Sequence, residues 1–487
     1  MSQGVIFVIG LIVYVAFMIF IGWITTRGKS DGTDYLDGGR KVAILPLIGT
    51  IVATCVGTGS SMGAAGNGYL YGWAGALVGL GNSVGMLCML WFMRMRKFKF
   101  TSMVTEAQFL LGGSKQSKTL LAIAFFLIEI MWTGSHINGG SKYLCYVTGM
   151  NDALAKTLIT IGFLGYAYFG GYMAVVWTDT VQLGIILFGF ITIVIRSLPM
   201  AGGFGAIREA YTAAGNAGAL GFYGIGSYGI MAALTLIVAS FFNVISVPVF
   251  HTRLFSAGSD DAAKKSFSSG FVIDLLFSFL PAIIGMCAFT ICSGTGSMLD
   301  NSDFAFSYMA TTALGPIAGL LFLIAGLSAT MSSADSDLLS GVTILVADIY
   351  PMITHKTVDE KKYKGFSRLC MLIAVAIAYL FALYAKDIIG YITNVAGSML
   401  PGVGVMMILG RFWKRITWQG GLASVVGGIL FGICYLVIAP FHAFIAGIFS
   451  GPAIPVTILT LILCVVVSLL TPACTLSDEE KLALVNE

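Results

Sequence analysis

The stretch "ATCVGTGSSMGAAGNGY", Ala53–Tyr69, lies inside an apolar run over 43–69. Its glycines, at 57, 59, 63, 66 and 68, are poor helix formers in a segment long enough to cross a bilayer. Small residues of this kind can serve close helix packing, or they can mark a helix that is interrupted within the membrane. A second irregular stretch, "FFNVISVPVFH" (Phe241–His251), decides between the two. There Pro248 removes a backbone hydrogen bond, and Asn243 and Ser246 add polar groups to an apolar span. Two interrupted spans, five apart, in corresponding positions of two halves are the pattern of an inverted-repeat transporter with its site at the breaks.

Composition sets the class. The chain has 487 residues, of which 57% are hydrophobic and 10% charged, and its mean hydropathy is +0.91. A soluble domain carries about 25% charged residues. Uncharged runs of about 20 residues recur throughout, which predicts an all-α polytopic membrane protein rather than a barrel. The pattern predicts thirteen transmembrane helices, at 4–25, 43–69, 72–93, 118–146, 150–170, 173–197, 227–252, 266–292, 315–349, 368–385, 388–410, 418–440 and 452–472. The first, "VIFVIGLIVYVAFMIFIGWI", is too long for a signal-peptide core and reads as a span. Five segments follow: an extra N-terminal helix and loop (1–42), a first five-helix repeat (43–197), an external connection with a second repeat (198–410), two C-terminal helices (411–472) and a tail (473–487).

Most of the 27 Lys and Arg residues fall on alternate connections and the tail, with Arg253 among them. Lys142, Lys156, Arg196, Arg208 and Lys386 lie on the other side. The positive-inside rule then predicts an external N-terminus and a cytoplasmic C-terminus in the plasma or inner membrane. This topology accounts for the basic residues, so no nucleic-acid partner is expected, and no obligatory protein partner is evident. The nine cysteines are scattered without metal or disulfide spacing. There is no nucleotide-binding loop, no His pair at metal spacing and no nucleophile triad, so the chain reads as a non-enzyme.

Acids inside spans carry the chemistry. "SATMSSADSDLLSG" (Ser328–Gly341) places Asp335 and Asp337 in the ninth span, where an ionised group costs about 2.5–3.5 kcal/mol on insertion scales. Ser332, Asp335 and Ser336 share one helix face at i, i+3 and i+4. Oxygen-rich faces suit a hard cation. Asp179, Glu129 and Asp274 are further intramembrane acids, and by the predicted span limits no Lys or Arg lies at their depth. Bound cations would explain them; protonated carboxyls are the alternative. Glu129, Trp132, Thr133 and His136 form a polar-aromatic face on the fourth span.

Three motifs, "DYLDGGR", "GGYMAVVWTDTVQ" and "SATMSSADSDLLSGVTILVADIY", occur in that order and resemble the sodium/solute symporter family. The third is most similar to the high-affinity choline transporter branch. The resemblance implies a thirteen-span, five-plus-five inverted-repeat core. It implies a first sodium site from the carbonyls of Ala53, Val56 and Ala329 and the hydroxyls of Ser332 and Ser333. It also implies a second site at Asp179, Ser332, Asp335 and Ser336, for sodium or, given the extra acid, a proton. At the positions of choline-binding rings stand Cys55, Trp132 and Val247, so a single ring remains. The expected solute lining is Ser60, Ser61, Trp132, His136, Asn243 and Phe250. The resulting expectation is a symporter that couples Na+ entry to import of a small polar organic solute. A proton-coupled carrier using Asp179 and Asp335 is the alternative, and a membrane sensor of similar fold stands further off. Asp337 has no counterpart in the family motif.

Overall fold

The computed structural model describes residues 3–26, 34–314, 316–383, 390, 394 and 396–486. Arg27, Lys29, Lys386 and the start of the predicted 388–410 span lie largely or wholly outside these residues. Among them, nine helices are long and apolar enough to cross a membrane, and a bent pair makes a tenth. Three shorter apolar helices, Ile44–Cys55, Gly397–Phe412 and Ala439–Phe449, accompany them.

Of the nine long helices among the described residues, Lys115–Thr148, here α1, is the most enclosed, and Gln3–Thr26 is the least, burying Phe7, Leu11, Tyr14 and Met18 along one side. Ser114 caps the start of α1 and Gly149 ends it in the left-handed region. α1 packs along Pro316–Ile344, here α3, which also packs against Asp152–Met200, here α2. Sequence reading placed two spans over the length of α2. The break between them is a single residue, Gly171 (φ 64°, ψ −163°), where an added Cβ would stand 2.6 Å from the Tyr35 ring. Only glycine fits there.

Both predicted interruptions are present. Ile44–Cys55 stops at Val56, and the chain resumes through a wide turn at Gly59–Gly63 into Ala64–Tyr71. Ile230–Ser246 and Pro248–Ser256 meet at 47° across Val247, which is extended. Pro248 begins the second piece, where its missing N–H costs nothing. The two broken elements are also tied together. Val42 N–H donates to Ser256 O at 3.1 Å and Gly258 N–H to Val42 O at 2.9 Å, a one-residue parallel bridge.

Candidate functional site

The ends of broken helices carry unpaired carbonyls and the negative end of the helix dipole. At the first break these carbonyls meet the serines of α3. Ser332 Oγ donates to Ala53 O (3.0 Å) and Ala329 O (3.3 Å), and Ser333 Oγ lies 2.8 Å from Thr54 O and 3.2 Å from Ala329 O. Ala53, Ala329, Ser332 and Ser333 are thus brought together, all fully buried. Val56, also buried, is the residue that ends the helix at this point. The donors are neutral oxygens, a set that fits a hard monovalent cation.

The expected second site is built differently. Asp179 Oδ2 accepts from Thr50 Oγ1 (2.6 Å) and Ser336 Oγ (3.1 Å). Ser332 bonds into the first cluster instead, and Asp335 is buried further along α3. The absence of a basic residue at this depth was incorrect. Arg253 is 1% exposed; its Nη2 lies 2.5 Å from Ser336 Oγ and 3.6 Å from Asp179 Oδ2, and its guanidinium stacks 5.1 Å from the Tyr172 ring. The reason is the bend at Val247. It carries Pro248–Ser256 back into the bundle, so Arg253 sits inside a helix rather than in the loop beyond residue 252.

The neighbouring His251 was missed as well. Its Nδ1 is 2.5 Å from Glu106 Oε2 and its Nε2 is 3.1 Å from Ile245 O, a carbonyl freed by the break. The Pro248 interruption was the available signal, since a freed carbonyl needs a donor.

Beside the first cluster lies a small cavity of about 30 Å3. Ser60, Trp132, His136, Asn243 and Phe250 line it. Ser61 does not; its hydroxyl turns back to Gly57 O at 2.7 Å, satisfying its own helix. Asn82, passed over as a solute contact, joins the wall. Its Nδ2 donates to Ser60 Oγ (3.0 Å) and its Oδ1 accepts from Asn243 Nδ2 (3.3 Å). Trp132 and His136 stack with centroids 6.0 Å apart. Asp337 acquires a place too, with its Oδ2 3.2 Å from His136 Nε2 at the cavity wall. Gly57 separates this pair from the serine cluster. A Cβ there would stand 2.6 Å from His136 Cε1 and 2.7 Å from Ser333 Oγ.

Two interrupted helices around a buried polar cavity define a polytopic membrane transporter. The fold is shared with a solved structure: a Na+-coupled sialic acid symporter, in a substrate-bound outward-open state, aligns with TM-score 0.78 at 19% identity, covering 96% of this chain and 98% of that one. The model of the sodium:solute symporter family matches residues 35–428, and the chain belongs to that family. The sodium/pantothenate symporter of Haemophilus influenzae is 26% identical over 450 residues, covering 88% of this chain and 90% of the relative. The high-affinity proline transporter PutP of Bacillus subtilis is 26% identical over 428 residues, covering 84% and 88%. These relatives do not support the choline-transporter branch; they are pantothenate and proline symporters. They are transporters and not enzymes.

Proposed function

We propose that the protein is a secondary symporter that couples Na+ entry to import of a small polar organic solute by alternating access. The observation that carries this reading is the oxygen cluster of Ala53, Ala329, Ser332 and Ser333, set where a helix breaks beside a polar cavity. With Val56 it makes the first sodium site. The solute occupies the adjoining cavity, touching Ser60, Asn82, Trp132, His136, Asn243 and Phe250. Thirteen spans, with 43–197 and 198–410 as inverted repeats, an external N-terminus and a cytoplasmic C-terminus in the plasma membrane, complete the reading.

A second ion at Asp179, Asp335 and Ser336, whether sodium or proton, competes with a charge already in place. Arg253 already supplies the positive charge that Asp179 requires. One sodium site per solute site is therefore the favoured arrangement.

Sodium binding is testable without knowing the solute. A ligand that binds the folded state stabilises it by RT ln(1 + [L]/Kd), about 2.7 kcal/mol at a hundredfold excess over Kd. The purified protein in detergent is expected to melt at a higher temperature in NaCl than in KCl, saturably with sodium. Equal melting in the two salts at all concentrations refutes sodium coupling through this cluster.

A further inference from the structure

The cavity wall holds one group that family membership leaves without a role. Asp337 is 3% exposed and lines the cavity. Its Oδ2 faces His136 Nε2 at 3.2 Å. The opposite ring nitrogen fixes the imidazole's protons. His136 Nδ1 lies 3.5 Å from the Thr58 backbone N–H, which can only donate, and 2.9 Å from Thr58 Oγ1. The backbone donor marks Nδ1 as an acceptor and leaves Nε2 as the nitrogen that faces Asp337. The imidazole faces the carboxylate and holds its position.

No hydrogen bond among the described residues uses the other Asp337 oxygen. The other acids acting on Asp337 are Glu129 and Asp179, and the base is Arg253. Glu129 and Asp179 have the same sign as Asp337, and Arg253 is taken by Asp179 and Ser336. A buried carboxylate within the membrane is costly unless a cation meets it. Two rings, Trp132 and Phe250, flank the space, and aromatic faces attract cations. The amide pair Asn82–Asn243 and the hydroxyl of Ser240 line the cavity as well, adding neutral polar contacts.

We propose that Asp337 is the substrate counter-ion, held by His136, and that the transported solute carries a protonated primary or secondary amine whose N–H group donates to the Asp337 carboxylate. This deepens the reading above and rests on the cavity being the solute site. An N–H donor, rather than a quaternary ammonium, is required because the free carboxylate oxygen is an acceptor that a quaternary nitrogen cannot meet with a hydrogen bond. The amide end then takes the solute's other polar group. Gly57 places this pair against Ser333, so amine and sodium are bound on two sides of one residue.

The test uses the full chain in detergent, by thermal shift in NaCl. The amine probes are L-proline, L-lysine and putrescine. The matched probes without a cationic nitrogen are tetrahydrofuran-2-carboxylate, pantothenate and glucose. At least one amine is expected to raise the melting temperature, with apparent affinity falling tenfold or more in Asp337→Asn and recovering in part in Asp337→Glu. The sodium-induced shift of Asp337→Asn reports that the variant is folded. Three results overturn the proposal: no shift from any amine, binding confined to the probes that lack a cationic nitrogen, or an amine affinity unchanged in Asp337→Asn. The last would mean that Asp337 rests as a neutral acid or serves the ion instead. Repeating the titration in KCl separates the two ideas, since amine binding that ignores sodium defeats the symport reading but leaves Asp337 as counter-ion.

Discussion

Arg253→Gln removes the guanidinium and leaves the Asp179 carboxylate buried. The charges are 3.6 Å apart, and Coulomb's law at an effective dielectric of 20 gives about 5 kcal/mol for that separation. Removing one partner of a buried pair costs about 3–5 kcal/mol, mostly as the penalty on the charge left behind. Removing both relieves it. The expected results are a strongly destabilised Arg253→Gln, a destabilised Asp179→Asn, and an Arg253→Gln/Asp179→Asn double variant more stable than the arginine single. Thermal and chemical unfolding of the purified proteins would supply the four corners of the cycle. A second readout is sodium itself. In Arg253→Gln, Asp179, Thr50 and Ser336 are left as an uncompensated oxygen set, so NaCl should restore more stability than KCl does, and more than it adds to the wild type. Additive single effects, within about 0.5 kcal/mol, would show that Arg253 and Asp179 are neighbours without being partners.

Ser332→Ala removes an oxygen from the proposed sodium site and should weaken apparent sodium affinity about tenfold, given 1–1.5 kcal/mol for one hydrogen-bonding group; an unchanged sodium titration contradicts the site. Gly57→Ala puts a Cβ within 2.6 Å of His136 and 2.7 Å of Ser333. Overpacking of this kind costs about 1–3 kcal/mol, and here it should weaken sodium and solute together; loss of only one would separate the two sites. Trp132→Ala should lower the affinity of whichever solute stabilises the wild type, while the sodium shift persists. Loss of neither takes the α1 face out of the cavity.

The legible part of this fold was what backbone chemistry writes into residue choice. Gly57, Gly59 and Pro248 announced both interruptions because those residues disfavour a continuous helix whatever surrounds them. The serines of α3 were legible as an oxygen-rich face of a buried helix, while their place beside the carbonyls of the first break came from the family resemblance rather than from spacing. Arg253 was not legible. Its depth depends on a 47° bend, and a proline says that a helix is interrupted without saying which way the next piece turns. Ser61 failed differently, because spacing cannot say whether a hydroxyl faces a cavity or folds back on the carbonyl one turn earlier. The pairing of Asp337 with His136 joins helices 201 residues apart in sequence, and only packing brings them to 3.2 Å.

The short bridge between Val42 and Ala257 has a practical consequence. It fastens the entry of one interrupted span to the exit of the other through amides alone, with Val42 giving one hydrogen bond and receiving one. Side-chain replacement leaves such a fastening intact, so an alanine scan across 42 and 256–258 would pass over it in silence. Proline, which has no amide hydrogen, is the residue that would undo it. Gly258→Pro removes the donor to Val42 O, and Val42→Pro removes the donor to Ser256 O. A transport defect in those two substitutions, absent from alanine at the same positions, would identify a hinge pin made of backbone alone.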